Sequence, residues 1–245
     1  MDDEAYSQYE AESRNWLKFG RIKLLEALLS ERVPGRAAEI LDLGAGVGQN
    51  IPTLLKFGTV DALEIDEMGL RSLRKIARVR RIIDQPVPLE LDQRYDLIVA
   101  TDVLEHLPDD RAAARWIAEH LKEGGLFVST VPAYQFLFSE HDVALHHFRR
   151  YTAKNYARIM VPEMRVVKAG YFNSVLFPVA ALMRLSSRFL KKGNGEGGKA
   201  RKQSGLMPGP VDRLFRKVLS AEVSMIDRNV GLPFGLSVYC VCQKA

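Results

Sequence analysis

The chain has 245 residues, of which 47% are hydrophobic and 27% are charged. These proportions are typical of a globular protein, and they exclude a fibrous or wholly disordered chain. Lys and Arg exceed Asp and Glu by five charges, an excess that would suit nucleic acid. Within the basic run over 71–81, however, the segment 71–78 alternates with apolar residues in a helical pattern. This pattern favours a solvated helix face, so nucleic acid is an unlikely partner.

Three features bear on the compartment. Residues 1–12 hold five acidic side chains and no basic one, whereas an export signal would be basic. No apolar run reaches the roughly 18 residues that a membrane span needs. Cys240 and Cys242 are one residue apart, and on a strand they would lie on one face in a poor position for a disulfide. We therefore expect a cytoplasmic protein.

Strand and helix patterns alternate through the first half of the chain. The predicted helices are 14–31, 49–57, 67–79 and 109–121. The predicted strands are 38–43, 60–63, 95–100 and 126–131, with a turn at 122–125 before the last of them. This alternation predicts parallel βαβ units, with a sheet covered by helices on both faces.

The second half is less regular. Its predicted elements are helices at 153–160, 173–190 and 211–227, strands at 164–169 and 236–241, and a glycine-rich linker at 193–198. The expected organisation is a helical lid at 1–35, a cofactor-binding core at 36–172, a helical insertion at 173–230 with a flexible basic linker at 191–205, and a closing strand of the core sheet at 231–245.

The strongest chemical signal is a glycine-rich turn after the first strand. Gly44, Gly46 and Gly48 permit a tight turn and let a ligand approach the backbone closely. Glu64 ends the second strand, where an acid can accept hydrogen bonds from ribose hydroxyls. A nucleoside-containing ligand is therefore expected at the carboxyl ends of the strands.

The residues around the glycines favour one such ligand. A dinucleotide loop would need glycine where the chain has Gln49, and no Lys or Arg lies between residues 39 and 53 to neutralise a pyrophosphate. Asp42 would repel phosphate but suits the ammonium and sulfonium groups of S-adenosylmethionine. S-Adenosylmethionine is therefore favoured over NAD.

Four segments resemble the motifs of class I S-adenosylmethionine-dependent methyltransferases. They are Asp42–Gly48, Leu63–Asp66, Tyr95–Leu107 and Leu121–Val128. The resemblance implies a Rossmann-like α/β fold, with a mostly parallel seven-stranded sheet, helices on both faces and extra C-terminal helices. The cofactor residues that it implies are Asp42, Gly44, Ala45, Gly46, Gly48, Glu64, Ile65, Asp84, Thr101 and Asp102.

The stretch from 131 to 152 is similar to a bacterial subgroup of these enzymes that is often met beside cell-envelope functions. Two of its three histidines, His141 and His147, are candidates for the base that takes a proton from a hydroxyl acceptor. Arg149, Arg150 and Tyr151 are candidates for contacting the substrate. The alternative is a buried polar network that ties this loop to the sheet.

Asp102, Glu105 and His106 resemble a degenerate metal-binding pattern of ubiquinone-pathway O-methyltransferases. They could bind a magnesium ion if they converged. The start of a fold-supporting helix is the preferred interpretation, and no metal site is expected.

The expected reaction is methyl transfer from S-adenosylmethionine to a small-molecule, lipid or glycan acceptor, with oxygen as the expected acceptor atom. The alternatives are a non-catalytic S-adenosylmethionine-binding regulator and a methyltransferase acting on nucleic acid or protein. The apolar stretch 175–183 and the basic residues of 184–202 also suit peripheral contact with an anionic membrane on its inner face. The alternative is a helix that covers the sheet or the acceptor pocket. The oligomeric state stays open.

Overall fold

The structure is a computed structural model that describes residues 16–33, 37–178, 181–182 and 209–245. Seven strands form one sheet in these residues. They are β1 (Ala38–Leu43), β2 (Gly58–Leu63), β3 (Val79–Ile83), β4 (Tyr95–Thr101), β5 (Leu121–Pro132), β6 (Met164–Phe172) and β7 (Ser237–Lys244). Their order is β3-β2-β1-β4-β5-β7-β6, and only β7 runs antiparallel to its neighbours. The predicted seven-stranded, mostly parallel sheet is confirmed.

Helices pack on both faces of this sheet, as predicted. The described helices are α1 (Trp16–Ser30), α2 (Ile51–Leu54), α3 (Glu67–Leu73), α4 (Asp110–His120), α5 (Glu140–Ala144), α6 (Ala153–Ala157) and α7 (Gly209–Asp227). One buried cluster joins α1 and α7 to alternate residues of the strands, and a second joins α4 and α6 to the others. Central strands are buried on both faces, because Ile40 points into the first cluster and Leu41 into the second.

Several predicted boundaries are wrong. The helices predicted over 49–57 and 153–160 are shorter, at Ile51–Leu54 and Ala153–Ala157. The helix predicted over 67–79 ends at Leu73, and Val79–Ile83 forms the edge strand β3. Arg80 belongs to this strand, where it pairs with the buried Asp61, so the basic run is not one helix face. The turn predicted at 122–125 lies inside β5, where Gly124 has a φ of 73°. A register shift between β4 and β5 accommodates it.

Other expectations have mixed outcomes. Cys240 and Cys242 are buried free thiols on β7, so they form no disulfide. Most of the predicted helix 173–190 and the whole linker 191–205 lie outside the described residues. Among the residues that the structure does describe, no helix is long and apolar enough to cross a membrane.

Candidate functional site

The predicted cofactor residues follow the carboxyl ends of adjacent strands. β1 lies between β2 and β4, and the chain leaving β1 continues towards β2 while β4 extends the sheet in the other direction. This reversal of strand order is the switch point at which open α/β sheets bind ligands. The glycine loop follows β1, Glu64 follows β2, and Thr101 ends β4. The topology therefore brings the predicted set to one edge.

The glycine loop needs its glycines for conformation and for space. Gly44, Gly46 and Gly48 have φ values of 67°, 54° and 81°, which other residues rarely adopt. A Cβ at position 44 would lie 2.5 Å from Cγ2 of Val103, and one at position 48 would lie 2.4 Å from Cδ1 of Ile76. The loop is thus shaped to bring backbone, without side chains, to the edge of the sheet.

Glu64 ties this loop to the end of β2. Its Oε2 accepts a hydrogen bond from the Gly46 amide at 2.6 Å. Its Oε1 accepts from the amides of Ile65 and Asp66, both at 2.8 Å. Ile65 is 62% exposed and offers an apolar surface beside the carboxylate. Asp84 is exposed directly after β3, at the same edge. A carboxylate beside an apolar side chain suits a ribose next to a purine.

Asp42 is a fully buried acid behind the loop. Its Oδ1 accepts a hydrogen bond from Nδ2 of Asn50 at 3.1 Å, and its Oδ2 has no partner. The same Nδ2 donates to Oγ1 of Thr101 at 3.0 Å, so Asn50 links the ends of β1 and β4. Burial raises the pKa of Asp42 to about 7, with a further contribution from the charge of Glu64. A cationic ligand would favour its ionised form.

Asp102 stands just past β4 in a left-handed conformation, with a φ of 56°. Its amide donates to the carbonyl of Thr130 at 2.8 Å, and its Oδ1 accepts from the Thr130 hydroxyl at 3.2 Å. Its Oδ2 lies 2.5 Å from a guanidinium nitrogen of Arg21. Arg21 belongs to α1, so the N-terminal helix brings a cation to the cofactor edge.

Asn50 and Arg21 contact the predicted cofactor residues at this edge but are not predicted from the sequence. Asn50 lies two residues after the last glycine of the loop, a signal that could have drawn attention to it. Arg21 has no such signal, because its partner is 81 residues away in the chain and only the packing of α1 joins them.

The loop after β5 is organised around Asp142, which is fully buried. Its carboxylate accepts hydrogen bonds from Nδ1 of His147 at 3.0 Å, from Nε of Arg150 at 2.7 Å and from the Ser139 amide at 2.9 Å. Burial alone would raise the pKa of Asp142, but the bonds from His147 and Arg150 outweigh it and hold this pKa well below its usual value. Asp142 therefore fixes the orientation of the His147 ring.

His147 in turn meets two groups at the end of β4. Its ring contacts that of His106 edge to face, with centroids 4.5 Å apart. Burial, then the charge of His147, lowers the pKa of His106 to about 4. Glu105 is fully buried with no partner for either carboxylate oxygen, and burial raises its pKa well above the usual value. One ligand atom from each of these three residues lies within 4.8 Å of the others.

Two histidines and a carboxylate form a donor set that suits a transition metal. This set differs from the one considered in the sequence analysis, because His147 takes the place of Asp102. Asp102 is bonded to Arg21 and Thr130 instead. Of the three residues in that pattern, the structure brings Glu105 and His106 into one cluster.

The predicted substrate residues form hydrogen bonds within the chain. Arg149 contacts Asp110 at 3.1 Å and the carbonyl of Pro108 at 2.6 Å, and the Tyr151 hydroxyl donates to Asp110 at 2.8 Å. Arg150 is 9% exposed and is bonded to Asp142. These contacts build the polar network that the sequence analysis kept as the alternative.

His141 is placed differently from His147. It lies on α5 with an exposed side chain, whereas the side chain of His147 is 9% exposed.

Residues 17–166, more than half of the chain, match the model of a family described as a methyltransferase domain. The ubiquinone biosynthesis O-methyltransferase of Xylella fastidiosa (strain 9a5c) is 32% identical over 138 residues, 47% of this chain and 54% of that protein. The trans-aconitate 2-methyltransferase of Deinococcus radiodurans is 28% identical over 161 residues, 64% of this chain and 58% of that protein. The matches thus span a little over half the length of these curated relatives.

Solved structures share the fold at low sequence identity. The plantazolicin methyltransferase BpumL, in complex with a triazolic desmethylPZN analogue and SAH (S-adenosylhomocysteine), is 11% identical, with a TM-score of 0.59 over 99% of this chain and 92% of that one. Coclaurine N-methyltransferase, bound to N-methylheliamine and SAH, is 15% identical, with a TM-score of 0.55 over 90% of this chain and 72% of that one. These two likenesses concern the fold, whereas the family model covers the sequence itself, and the chain belongs to this family of methyltransferase domains.

Proposed function

We propose that the protein transfers a methyl group from S-adenosylmethionine to an oxygen atom of a small-molecule acceptor. The observation that carries this proposal is the convergence of the glycine loop, Glu64 and Asp42 at the switch point of the sheet, in a chain of the methyltransferase family. No pyrophosphate-binding cation accompanies these acids in the loop sequence, which argues against a dinucleotide.

The cofactor contacts follow from the placement of charge. Glu64 accepts hydrogen bonds from the ribose hydroxyls, and Ile65 and Asp84 flank the adenine. The ammonium and sulfonium end lies near Asp42 and Asp102, whose acids suit positive charge. Arg21, which reaches Asp102 from α1, supplies a cation at that end and binds the methionine carboxylate.

The residues of the chain position the two reactants and supply a base. The acceptor oxygen forms a bond to the methyl carbon as the carbon–sulfur bond breaks, and the sulfur keeps that electron pair. Holding the two reactants in line and excluding water supplies most of such a rate increase. The proton of the hydroxyl goes to His147, because Asp142 occupies Nδ1 and leaves Nε2 for the transfer.

The acceptor class is supported by the relatives, whose names refer to ubiquinone precursors and trans-aconitate, both small molecules with oxygen functions. A lipid- or glycan-linked acceptor at an anionic membrane surface extends the proposal. It is supported by the exposed apolar side chains of Phe136 and Val175, 47% and 52% exposed, on the loops after β5 and β6. Cosedimentation with anionic and neutral vesicles tests this extension, and binding to neither would contradict it.

Calorimetric titration with S-adenosylmethionine, S-adenosylhomocysteine and NAD tests the cofactor, and binding of NAD alone would overturn the proposal. Transfer of a labelled methyl group into an extract of a deletion strain tests the reaction. Cofactor binding without any transfer would point to a regulator instead. A lipid and metabolite comparison of that strain with its parent would then identify a species that lacks one methyl group.

A further inference from the structure

A buried carboxylate of α7 holds the chain at the point where it leaves β6. Oε2 of Glu222 accepts hydrogen bonds from the amides of Asn173 at 2.8 Å and Ser174 at 3.1 Å, and Oε1 accepts from the amide of Val175 at 2.9 Å. Glu222 is 4% exposed, and no ion pair to it is found among the described residues. Three successive amides that converge on one anion form a backbone nest.

The nest forces an unusual conformation on the chain. Asn173 has a φ of 65°, and its Oδ1 is buried without a partner. A left-handed backbone conformation at a residue other than glycine and a buried polar atom without a partner each lower the stability of the folded state. They occur only where other contacts hold the segment in place. The three bonds to Glu222 supply that constraint, since hydrogen bonds to a charged group are stronger than neutral ones.

The nest fixes the position of a group of aromatic side chains, which we call the aromatic wall and which consists of Tyr134, Phe177 and Phe234. The ring of Phe177, two residues after Val175, lies 5.3 Å from that of Tyr134 and 5.2 Å from that of Phe234. Tyr134 follows β5, the strand whose Thr130 contacts Asp102. Because β5 and β6 both run in the direction of β4, the wall lies at the same edge of the sheet as Asp102.

The helix that carries Glu222 is itself fixed to α1. The ring of Phe215 lies 4.9 Å from that of Trp16, and a Cβ on Gly20 would lie 2.6 Å from Cδ1 of Leu219. α1 in turn carries Arg21 to Asp102. The packed pair of α1 and α7 therefore contacts two places at this side of the sheet. Arg21 of α1 contacts Asp102, and Glu222 of α7 contacts the chain where it leaves β6.

We propose that Glu222 is a positioning residue for the methyl acceptor: its carboxylate holds residues 173–175 so that the aromatic wall of Tyr134, Phe177 and Phe234 contacts the acceptor. This inference rests on the proposed function. It assigns Glu222 to the acceptor side alone, because its three hydrogen bonds go to the amides of residues 173–175 and not to the glycine loop or Glu64.

Hydrogen–deuterium exchange tests the nest without any acceptor. In Glu222→Gln we expect the amides of 173–175 to exchange about tenfold faster than in the wild type, because the amide side chain loses the charge and turns one oxygen into a donor. Glu222→Asp keeps the charge and should give an intermediate rate. Asp227→Asn, an exposed acid on the same helix, is the matched control and should leave these amides unchanged. Equal exchange in all four proteins would overturn the proposal.

The acceptor role needs a second measurement. The assay uses labelled S-adenosylmethionine and the deletion-strain extract as the source of acceptor. At a low concentration of extract, Glu222→Gln should transfer methyl groups about tenfold more slowly than the wild type. At a high concentration most of the rate should return, as expected when the KM for the acceptor is raised. The Kd for S-adenosylhomocysteine should stay within twofold of the wild type. A matching loss of cofactor affinity would overturn the assignment to the acceptor side. If the wild type neither binds the cofactor nor transfers a methyl group, the proposed function fails, whereas the exchange data still decide whether Glu222 holds this loop.

Discussion

The two halves of the sheet build their parts of the site differently. On the side of β3, β2, β1 and β4, most of the proposed functional groups stand within a few residues of a strand end, as Asp42 and Glu64 do, and Arg21 of α1 is the exception. On the side of β5, β7 and β6, the key contacts join distant parts of the chain, such as Tyr151 to Asp110 and Glu222 to Asn173. The cofactor half is encoded locally, and the acceptor half depends on tertiary packing.

This difference predicts that substitutions in the two halves have separable effects. A change at the glycine edge should alter cofactor affinity, and one in the loop after β5 should alter turnover while leaving that affinity intact. Variants of His147 and Glu64 test whether the two halves can be disturbed one at a time.

The largest effect is expected at His147. His147→Ala removes the base that Asp142 orients, and losing a general base typically lowers turnover by about 10²- to 10⁴-fold. The Kd for S-adenosylhomocysteine should stay within a few-fold, because His147 belongs to the other half. Initial-rate and calorimetric measurements check both quantities. His141→Ala is the control on the exposed face of α5. A His147→Ala protein that melts much earlier yet keeps its turnover per folded molecule would show a purely structural role.

The sequence already predicted most of the cofactor half, because a strand, a glycine turn and an acid at the next strand end form a local pattern. Gly44 and Glu64 can be recognised from short segments of sequence, because each directly follows a predicted strand. Arg21 and Glu222 could not be predicted in this way, since each acts through a partner that only helix packing brings near. The edge strand β3 was missed because its arginines continue a helical charge pattern, and only their pairing with Asp61 distinguishes the two structures.

The next largest effect is expected at Glu64. Glu64→Ala removes the proposed ribose acceptor and also frees the amide of Gly46. Hydrogen bonds to a charged group contribute about 1.5–3 kcal/mol, so cofactor affinity should fall by about 10- to 150-fold. Calorimetry with S-adenosylhomocysteine measures this loss. Glu67→Ala, an exposed acid at the start of α3, should bind normally. An unchanged Kd in a folded Glu64→Ala protein would remove Glu64 from the cofactor site.

The pH dependence of stability should report on His106, which lies between the two halves of the sheet. Burial lowers its pKa to about 4, so the unfolded chain takes up the proton first as the pH falls. The native state should therefore lose about 2 kcal/mol of stability as the pH falls from about 6.5 to 5, since one pKa unit corresponds to about 1.4 kcal/mol. His106→Gln should remove this part of the slope. Urea unfolding at pH 7, 6 and 5 measures it in both proteins. The raised pKa of Asp42 changes the stability in the opposite direction as the pH falls, and it does so in the wild type and in His106→Gln alike. The difference in stability between the two proteins therefore reports on His106 alone.

The smallest effect is expected at Glu105. Its buried, unpartnered carboxyl group has a pKa raised well above the usual value, so the folded state holds a proton that the unfolded state releases near pH 4.5. Stability from this group is complete below that pH and is lost as the pH rises. Glu105→Gln has no proton to lose, so its melting temperature should exceed that of the wild type at pH 7.5. The gain should shrink towards pH 5. A chelator that lowers the melting temperature of the wild type, but not that of Glu105→Gln, would contradict this expectation. In that case a divalent cation bound with His106 and His147 would be balancing the carboxylate.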